Sequence, residues 1–396
     1  MKILISSSGF IDGQGYQRTF HIAEELVSFG HEVTYLTSQH KRYKFPFMIN
    51  NRNGVKEVAV YDFMPKKIKK LGVSPIAVLF KTLHVLNKRY DILHADAGHR
   101  ISSGFPCWIH RKIYGTKYIT EWWDFQGRGG QFETKSFIWK YSYGLIDNHL
   151  EKSDKKKANG VVALSTFTKS RAIDIGVNEK DITIIYGGSD VNNIKYVPDN
   201  NEYRRLYGLD KADFVIVLVG VVTSDDFGPI LDLLQQLNEK KISVKIVTTG
   251  KIIKGLDEFG EDTFKQLGFV DYAEYYKVLS VADIFYLYQA KNDIQKAKWP
   301  NKIGDYLAAG RIIIANPIND ISVLQNENNI DSLLFIDYNF ESLYSLLIDL
   351  FSKKDKLIEI GRKNRDVAYH ISWSKRAKEF EEFYKRILNK NDYYRI

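Results

Sequence analysis

Short apolar runs alternate with amphipathic stretches along almost the whole chain. Residues 2–6 contain the apolar run Ile3-Leu4-Ile5, and residues 31–37 contain Val33, Tyr35 and Leu36, which is typical of buried strands. Between them, residues 19–29 carry apolar side chains at helical spacing and are predicted to form a helix. Because strands that alternate with helices usually pair in parallel, this order predicts an α/β fold built on doubly wound parallel sheets.

The alternation of strands and helices runs through two series. Predicted strands cover residues 2–6, 31–37, 91–93, 117–120 and 160–164 in the first series, and residues 214–219, 244–248, 283–287, 312–315 and 333–336 in the second. We therefore predict two Rossmann-like domains, an N-terminal one over residues 1–190 and a C-terminal one over residues 191–372. Residues 373–396 are predicted to contain a terminal helix that packs back across the domains, because their apolar side chains share one helical face.

The composition excludes several classes of protein. The chain has 396 residues, with 44% hydrophobic and 27% charged side chains, which excludes a disordered chain and a small disulfide scaffold. The single cysteine, Cys107, cannot form an internal disulfide and favours a reducing compartment. No run approaches the roughly 20 apolar residues that span a bilayer, and residues 1–6 are too short for a signal peptide. We therefore expect a cytoplasmic location.

The net charge of +9 comes from one part of the chain. Residues 1–190 contain 28 basic and 18 acidic side chains, a balance of +10, whereas residues 191–396 contain 29 and 30, a balance of −1. Residues 41–90 alone contain 12 basic and 2 acidic side chains, which again gives +10. A local excess of this kind indicates an anionic partner.

The basic residues between positions 41 and 90 are interleaved with apolar and aromatic ones. We expect a peripheral contact with an anionic membrane surface, because each Lys or Arg near such a surface is worth about 1 kcal/mol. The predicted membrane patch consists of Lys66, Lys67, Lys69, Lys70, Lys81, Lys88 and Arg89. A solvated face over an ordinary core helix stays open as the alternative. Nucleic-acid binding is not expected, because no nucleic-acid motif accompanies the charge.

A glycine loop follows the first predicted strand. The segment from Gly13 to Arg18 begins like a dinucleotide-binding turn, but Arg18 replaces the third glycine and no carboxylate follows the second strand. An NAD site is therefore disfavoured. Two interpretations stay open: a flexible turn before a helix, or a loop in which Gly13 and Gly15 let backbone amides approach an anionic ligand.

The most informative stretch is residues 299–311, which read Trp-Pro-Asn-Lys-Ile-Gly-Asp-Tyr-Leu-Ala-Ala-Gly-Arg before a buried run. This pattern resembles the donor-site helix of the GT-B glycosyltransferases of family 4. Pro300 can begin a helix whose free amides face a diphosphate, and Lys302 adds a cation there. Asp305, one turn further on, can accept hydrogen bonds from ribose hydroxyls. As an alternative, Lys302 and Asp305 could form only a solvated i,i+3 pair.

The resemblance to family 4 covers nearly the whole chain. Residues 13–38 are similar to the family's opening, residues 90–96 to a characteristic strand end, residues 158–165 to a strand followed by serine, and residues 184–190 to the interdomain turn. Each motif is weak alone, but five motifs in the family's order are jointly specific. The resemblance implies the GT-B fold, with two Rossmann-like domains facing each other across a cleft.

Three positions depart from the family pattern. Ala297 stands where the family often has the first Glu of an E-x7-E pair, and Val221 and Phe227 stand where it has phosphate-binding cations. Other cations are therefore expected to compensate, since a leaving diphosphate needs positive charge or amide donors. The expected donor-binding residues are Gly13, Gly15, Gly220, Pro300, Asn301, Lys302 and Asp305, together with Lys251 and Lys298 as nearby cations that could replace the missing ones.

The acceptor side is expected at the end of the fourth predicted strand. Many family members carry a histidine there, whereas this chain has Glu121 and Asp124, which could bind acceptor hydroxyls or take a proton. These carboxylates are the candidate catalytic residues. Trp122, Trp123 and Arg128 are the candidate acceptor-binding residues, since indole faces suit sugar stacking. A buried structural role for either Trp and a turn cap for Asp124 stay open.

The resemblance implies a glycosyltransferase that moves a sugar from a nucleotide-diphosphate sugar to a glycan or to a lipid-linked acceptor such as a polyprenyl carrier, with retention of configuration. The sugar nucleotide is a co-substrate, so no cofactor is expected. No metal site is expected, because the chain has no Asp-x-Asp triad and no His pair with zinc-ligand spacing. Two alternatives stay open: a sugar-nucleotide epimerase of the same fold, and a catalytically silent sugar-nucleotide binding protein.

Overall fold

The chain folds into two compact units. In the computed structural model, the first unit comprises residues 1–187, 296–299 and 373–396, and the second comprises residues 188–295 and 300–372. The polypeptide therefore passes from one unit to the other four times. The structure describes residues 1–11, 14–40, 46–65, 73–220, 230, 233, 234, 237, 242–250, 260, 262–318, 320–328, 330, 333–335 and 340–390.

An eight-stranded sheet forms the centre of the first unit. Its strands are β1 (Lys2–Phe10), β2 (Glu32–Gln39), β3 (Phe47–Arg52), β4 (Val55–Tyr61), β5 (Ile92–Ala95), β6 (Lys117–Trp122), β7 (Gly160–Ala163) and β8 (Ile182–Ile184). Their spatial order is β3-β4-β2-β1-β5-β6-β7-β8. All neighbouring pairs are parallel except β3 and β4, which form an antiparallel hairpin at one edge.

Helices pack on both faces of this sheet. They are Gln14–Ser28, Pro75–Leu86, Ile101–Tyr114, Phe137–Lys140, Tyr143–Lys157, Thr166–Asp174 and the terminal helix Trp373–Leu388. Alternating side chains of the strands fill two apolar layers. Ile3 and Ile5 belong to one layer together with Phe380, whereas Leu4 and Leu93 belong to the other. Because both faces are covered, the consecutive residues Ile3, Leu4 and Ile5 of β1 are all apolar and buried.

A six-stranded parallel sheet forms the centre of the second unit. Its strands are β9 (Phe214–Leu218), β10 (Val244–Thr248), β11 (Phe264–Gln266), β12 (Ile284–Leu287), β13 (Ile312–Ala315) and β14 (Leu333–Phe335), in the spatial order β11-β10-β9-β12-β13-β14. The described helices are Asn201–Leu206, Tyr272–Ser280, Asp293–Lys296, Lys302–Ala309, Ile321–Asn328, Phe340–Ser352, Leu357–Arg362 and Asn364–His370. Asp293–Lys296 ends one residue inside the first unit.

A buried arginine ties together backbone segments of the second unit. The Arg311 guanidinium donates hydrogen bonds to the carbonyl oxygens of Val197 (2.8 Å), Ala282 (2.9 Å) and Ser280 (3.1 Å). Burial lowers the pKa of Arg311 to about 10, so the side chain stays charged at neutral pH. Each of these buried carbonyls thus has a charged donor. Arg311, the last residue of the stretch 299–311, therefore has a structural role.

The predicted α/β fold with two parallel-sheet domains is confirmed. The division between the units after residue 187 lies three residues before the predicted boundary. The terminal helix Trp373–Leu388 belongs to the first unit. The glycine loop is shorter than predicted, because β1 extends to Phe10 and the next helix begins at Gln14, so that Gly15 is helical.

Candidate functional site

Two glycine turns form part of the carboxyl edge of the second sheet. Gly220 (φ +87°) follows β9 and Gly250 (φ +99°) follows β10, so both adopt the left-handed conformation that favours glycine. A Cβ on Gly250 would overlap the carbonyl oxygen of Gly220. The two turns therefore meet backbone to backbone. The carboxyl edge of an open parallel sheet is where ligands usually bind.

Lys302 lies beside the Gly220 turn. A Cβ on Gly220 would lie 3.9 Å from both Cε and Nζ of Lys302. The helix Lys302–Ala309 is fixed to the sheet by Tyr306, whose ring stacks on Phe285 with the centroids 4.0 Å apart. The Tyr306 hydroxyl also accepts a hydrogen bond from the backbone N–H that precedes Gly220 (3.2 Å). The side chain of Lys302 is thus positioned at the carboxyl edge by a well-packed helix.

Asp305 lies one turn further along the same helix and is half-buried. The Tyr275 hydroxyl donates a hydrogen bond to Asp305 Oδ2 (2.8 Å). Burial, and then the charge of Asp305, raise the pKa of Tyr275 well above its ordinary value, so the tyrosine remains a neutral donor. Asp305 is therefore oriented from inside the unit by a residue that the sequence did not indicate.

The start of this helix differs from the expectation. The helix begins at Lys302 and not at Pro300, and its N-cap residue Asn301 makes no side-chain capping bond. Ile303 N donates to Pro300 O (2.9 Å), and Gly304 N donates to Asn301 O (3.1 Å). These amides already have backbone acceptors, which corrects the expectation that the first turn presents a row of free amides. At this helix end, Lys302 is therefore a better candidate for binding a diphosphate than the backbone amides.

The other expected donor-binding residues are only partly described, and they are divided between the two units. Gly13 and Lys251 lie outside the described residues, and so do the substituted positions Val221 and Phe227. Gly15 belongs to the first helix of the first unit, and Lys298 also lies in the first unit. Five expected donor-binding residues belong to the second unit and are described: Gly220, Pro300, Asn301, Lys302 and Asp305.

A cluster of buried charged side chains lies at the carboxyl edge of the first sheet. Glu121 Oε2 accepts hydrogen bonds from Arg18 Nη2 (3.1 Å) and Trp123 Nε1 (2.8 Å), and Glu121 Oε1 lies 2.9 Å from His94 Nε2. The other ring nitrogen of His94 lies 2.6 Å from the Tyr384 hydroxyl. Glu121, Arg18 and His94 are all buried. The carboxylate is therefore surrounded by partners from the protein itself.

This arrangement corrects the catalytic role expected of Glu121. Burial raises the pKa of Glu121, but the Arg18 charge and the contact with His94 outweigh it and hold the pKa at about 2. A carboxylate with so low a pKa is a poor proton acceptor at neutral pH. Glu121 is a structural anion that orients Arg18 and His94.

Asp124 has a different environment. It is half-buried, and Gln126 Nε2 donates to its Oδ2 over 3.4 Å. Burial raises the pKa of Asp124, while the charges of Lys298 and Arg100 act in the opposite direction. Of the two expected catalytic carboxylates, Asp124 is the one with the raised pKa that suits proton exchange.

The two tryptophans have structural hydrogen bonds. Trp122 is 2% exposed, and its Nε1 donates to Glu151 Oε1 (2.9 Å). This corrects the acceptor-binding role expected of Trp122, because no indole face is accessible for stacking. Trp123 is half-buried and donates to Glu121. Arg128 is exposed, and its guanidinium carbon lies 5.6 Å from the Phe132 ring centre.

Sequence reasoning did not identify Arg18 and His94 as partners of Glu121. Arg18 was visible as a charged residue in place of an expected glycine, and His94 lies within the segment that resembles the family. Asp96, from that same segment, is also buried and accepts hydrogen bonds from Ser7 Oγ (2.6 Å) and Ser8 N (2.8 Å). The signal available in the sequence was the presence of charged residues within apolar segments. Which of these residues pair with each other depends on the tertiary fold.

The predicted membrane patch is only partly described. Lys66, Lys67, Lys69 and Lys70 lie outside the described residues. The surface position expected of Lys81 is wrong. Lys81 is buried, its Nζ donates a hydrogen bond to Ser102 O (3.2 Å), and burial lowers its pKa to about 8. Lys88 is half-buried, and Arg89 is exposed with its guanidinium 3.6 Å from the Tyr114 ring centre. Over the described part of the chain, the helices are too short or too polar to cross a membrane.

Within the described ranges, the protein contains no group of three or more His, Cys, Asp or Glu side chains that could hold a metal ion.

Comparisons with known proteins support the sequence resemblance. Residues 17–193 match the family model described as Glycosyltransferase Family 4, which is 177 of the 396 residues. Sucrose-phosphate synthase from Thermosynechococcus elongatus superposes with a TM-score of 0.73 at 14% identity, covering 98% of each chain. The chain has the GT-B fold and resembles glycosyltransferase family 4. The expected fold class is thereby confirmed.

Other GT-B proteins extend this comparison. Anabaena HepE in complex with UDP-glucose matches with a TM-score of 0.69 at 15% identity, over 98% of this chain and all of HepE. An uncharacterised glycosyltransferase of Methanocaldococcus jannaschii is 23% identical over 262 residues. That alignment covers 63% of this chain and 64% of the relative, so the match spans less than two thirds of the relative's length. At these identities the structural likeness shows the GT-B fold.

Proposed function

We propose that this GT-B protein is a glycosyltransferase. It would move a sugar from a nucleotide-diphosphate sugar, bound by the second unit, to a glycan or lipid-linked acceptor bound by the first. The observation that carries the proposal is the position of Lys302 beside the Gly220 turn, with Asp305 one helical turn away. The UDP-glucose complex of the structurally similar HepE supports a sugar nucleotide as the donor.

The donor would be held by charge and hydrogen bonds at the carboxyl edge of the second sheet. Lys302 would neutralise the diphosphate, since an ammonium group stabilises the negative charge that develops on a leaving phosphate. Asp305, oriented by Tyr275, would accept hydrogen bonds from ribose hydroxyls. Gly220 would allow the backbone to approach the phosphates closely.

The acceptor would bind near Asp124 in the first unit. Asp124 would orient an acceptor hydroxyl by hydrogen bonding to it, and its raised pKa is compatible with such an exchangeable contact. Trp123 and Arg128 would contact the acceptor, because one is half-buried and the other exposed. Glu121 would act indirectly, by holding Arg18 and His94 in place.

We propose transfer with retention and without a metal ion. The bond between the anomeric carbon and the leaving phosphate oxygen breaks, and a bond to the acceptor oxygen forms on the same face of the sugar. The acceptor proton passes to the leaving phosphate. Lys302 supplies positive charge that a metal ion supplies in other transferases.

The proposed location is the cytoplasmic face of a membrane. The support is the excess of basic side chains in residues 41–90, which favours an anionic surface. A lipid-linked acceptor would be available at that surface.

Donor binding is tested first by thermal-shift measurements with UDP-, GDP-, ADP- and CMP-sugars. A ligand at 100 times its Kd adds about 2.7 kcal/mol to stability, which is readily detected. We expect one class to stabilise the protein and to release its nucleotide during turnover with an acceptor. Absence of stabilisation by any sugar nucleotide would contradict the proposal, and turnover without net nucleotide release would indicate an epimerase.

The substitution Lys302→Met tests the donor site itself. Loss of a charged hydrogen bond worth about 1.5 to 3 kcal/mol should weaken nucleotide binding by about ten- to a hundredfold. Lys277→Met is the matched control, because Lys277 is also a half-buried lysine of the same unit, and its Nζ lies 3.5 Å from Glu274. Equal binding by both variants would exclude Lys302 from the site.

A further inference from the structure

Residues 137–146 expose an unusual concentration of large apolar side chains. The exposed fractions are 75% for Phe137, 80% for Ile138, 65% for Tyr141, 40% for Leu145 and 54% for Ile146. Single exposed apolar residues are common on soluble proteins, whereas a contiguous cluster marks an interaction surface.

The position of this cluster is fixed by contacts of Ser136 and Trp139. Ser136 Oγ accepts a hydrogen bond from Trp139 N (3.4 Å) and so caps the helix Phe137–Lys140. Trp139 packs edge-on against Phe132, with ring centres 5.8 Å apart. A Cβ on Gly144 would lie 2.6 Å from the Trp139 ring, so only glycine permits this close packing. Trp139 therefore anchors the short helix while its neighbours face outward.

The helix that follows, Tyr143–Lys157, turns its acidic residues inward. Asp147 and Glu151 are buried, and the Asp154 side chain is 9% exposed. The partners inside the unit are Arg100 for Asp147 (3.4 Å), Trp122 for Glu151 (2.9 Å) and Tyr118 for Asp154 (2.6 Å). The outward face of this helix therefore carries none of the helix's carboxylates.

Exposed lysines lie on the outward face of the same helix. Lys152, Lys156 and Lys157 are exposed, and they follow Leu145 and Ile146 along the helix. Lys135 is exposed just before the cluster. The exposed acid in this stretch, Glu133, lies 3.3 Å from Lys140. An apolar surface bordered by lysines is complementary to a bilayer that contains anionic lipids.

We propose that residues 137–157 form the surface by which this protein docks on an anionic lipid bilayer. Phe137, Ile138 and Tyr141 enter the boundary between headgroups and acyl chains, and the lysines of the following helix contact the headgroups. This assignment rests on the proposed membrane location but not on the proposed sugar transfer. It adds to the predicted basic patch a surface that the charge pattern did not indicate.

A second exposed apolar stripe lies on the helix Pro75–Leu86, at Ile76, Leu79 and Leu83. The lysine of that helix, Lys81, is buried and so contributes no charge to the surface. We therefore favour residues 137–157 as the docking surface, and the second stripe serves as a competing outcome of the experiment.

The experiment is flotation of the full chain with vesicles of phosphatidylcholine containing phosphatidylglycerol, and with phosphatidylcholine alone. We expect binding to the anionic vesicles that weakens at high salt. The triple variant Phe137→Ser, Ile138→Ser, Tyr141→Ser should lose at least tenfold in vesicle affinity. Phe269→Ser is the matched control, since Phe269 is 80% exposed in the second unit, and it should bind as the unaltered chain does. Each lysine changed to Gln in the helix Tyr143–Lys157 should cost about fivefold.

Several outcomes would overturn the assignment. Unchanged flotation of the triple variant would do so, as would loss of binding only when Ile76, Leu79 and Leu83 are changed to Ser. A chain that dimerises in solution and does not float, and whose triple variant is monomeric, would show that a second copy covers the cluster. Thermal melting checks that each variant is folded, and the single change Ile138→Glu provides a second test. Because nucleotide binding is measured separately by thermal shift, failure of either proposal is distinguishable from failure of the other.

Discussion

The carboxyl edges of the two sheets contain charge in different settings. In the first unit, Glu121 is enclosed by Arg18 and His94 and is buried. In the second unit, Lys302 and Asp305 are half-buried, and Lys302 lies beside the Gly220 turn. A buried charge that has partners within the protein has a structural role, because removing one partner leaves the other desolvated and unpaired. The residue type at a strand end therefore does not identify a reactive group unless its partners are known.

The largest effect should come from Glu121→Gln. This change leaves the buried Arg18 without its anion, which should cost about 3 to 5 kcal/mol of the free energy of unfolding. Urea denaturation at pH 7 measures the loss. Asp124→Asn is the matched control: burial raises the pKa of Asp124, so removing its charge should cost much less or stabilise the fold. Equal destabilisation by both changes would remove the distinction between the two carboxylates.

The dependence of the unfolding free energy on pH gives a second test of the prediction for Glu121. The pKa of Glu121 is about 2 in the folded protein, below its ordinary value of 4.5. A lowered pKa contributes stability that is present above about pH 4.5 and is lost as the pH falls towards 2. Glu121→Gln should therefore flatten the acid side of the stability profile in this window, whereas an unaltered profile would contradict the low pKa.

A smaller loss is expected from Gly250→Ala in the second unit. Alanine would take a strained left-handed conformation, and its Cβ would overlap the carbonyl oxygen of Gly220. We expect a cost of about 1 to 3 kcal/mol and weaker nucleotide binding. Gly260→Ala is the control, because Gly260 also has a positive φ (+73°) but has open space around its Cβ position. Equal effects of the two changes on nucleotide binding would show that the contact of the two turns is unimportant.

The smallest effect is expected from Trp122→Phe in the first unit. The change removes the hydrogen bond to buried Glu151 and should cost about 1 to 2 kcal/mol in unfolding free energy. Acceptor affinity, measured as KM in a transfer assay, should remain unchanged, because the indole is buried. Trp108→Phe, at a site that is 38% exposed, should be nearly neutral in both measurements. A raised KM with unchanged stability would restore the acceptor-binding role of Trp122.

The sequence predicts the two parallel sheets well, because strands such as β1, β9 and β13 contain short apolar runs that are buried. It predicts the β3–β4 hairpin poorly, since half of the residues of β3 are polar and none of its residues is buried. A local signal was nevertheless present in Asn53-Gly54, both of which have positive φ and form the tight turn between the strands.

The site was predictable where local pattern determines it and not where distant residues meet. Lys302 and Asp305 follow from one motif on one helix. The burial of Glu121 depends on Arg18, 103 residues away in sequence. Lys81 is an intermediate case: its place at helical spacing from the buried residues Ala77 and Val85 indicates the inward face, although its charge suggested the surface.

The four passages of the chain between the units limit how the protein can be divided. A fragment ending at residue 190 would lack the helix Trp373–Leu388, which contributes Phe380 and Phe383 to the core of the first unit. It would also lack Tyr384, the hydroxyl partner of His94. Exchange of the second unit between related proteins would therefore require the terminal helix to be kept with the first unit, so the exchangeable segment ends before residue 373 and not at the end of the chain.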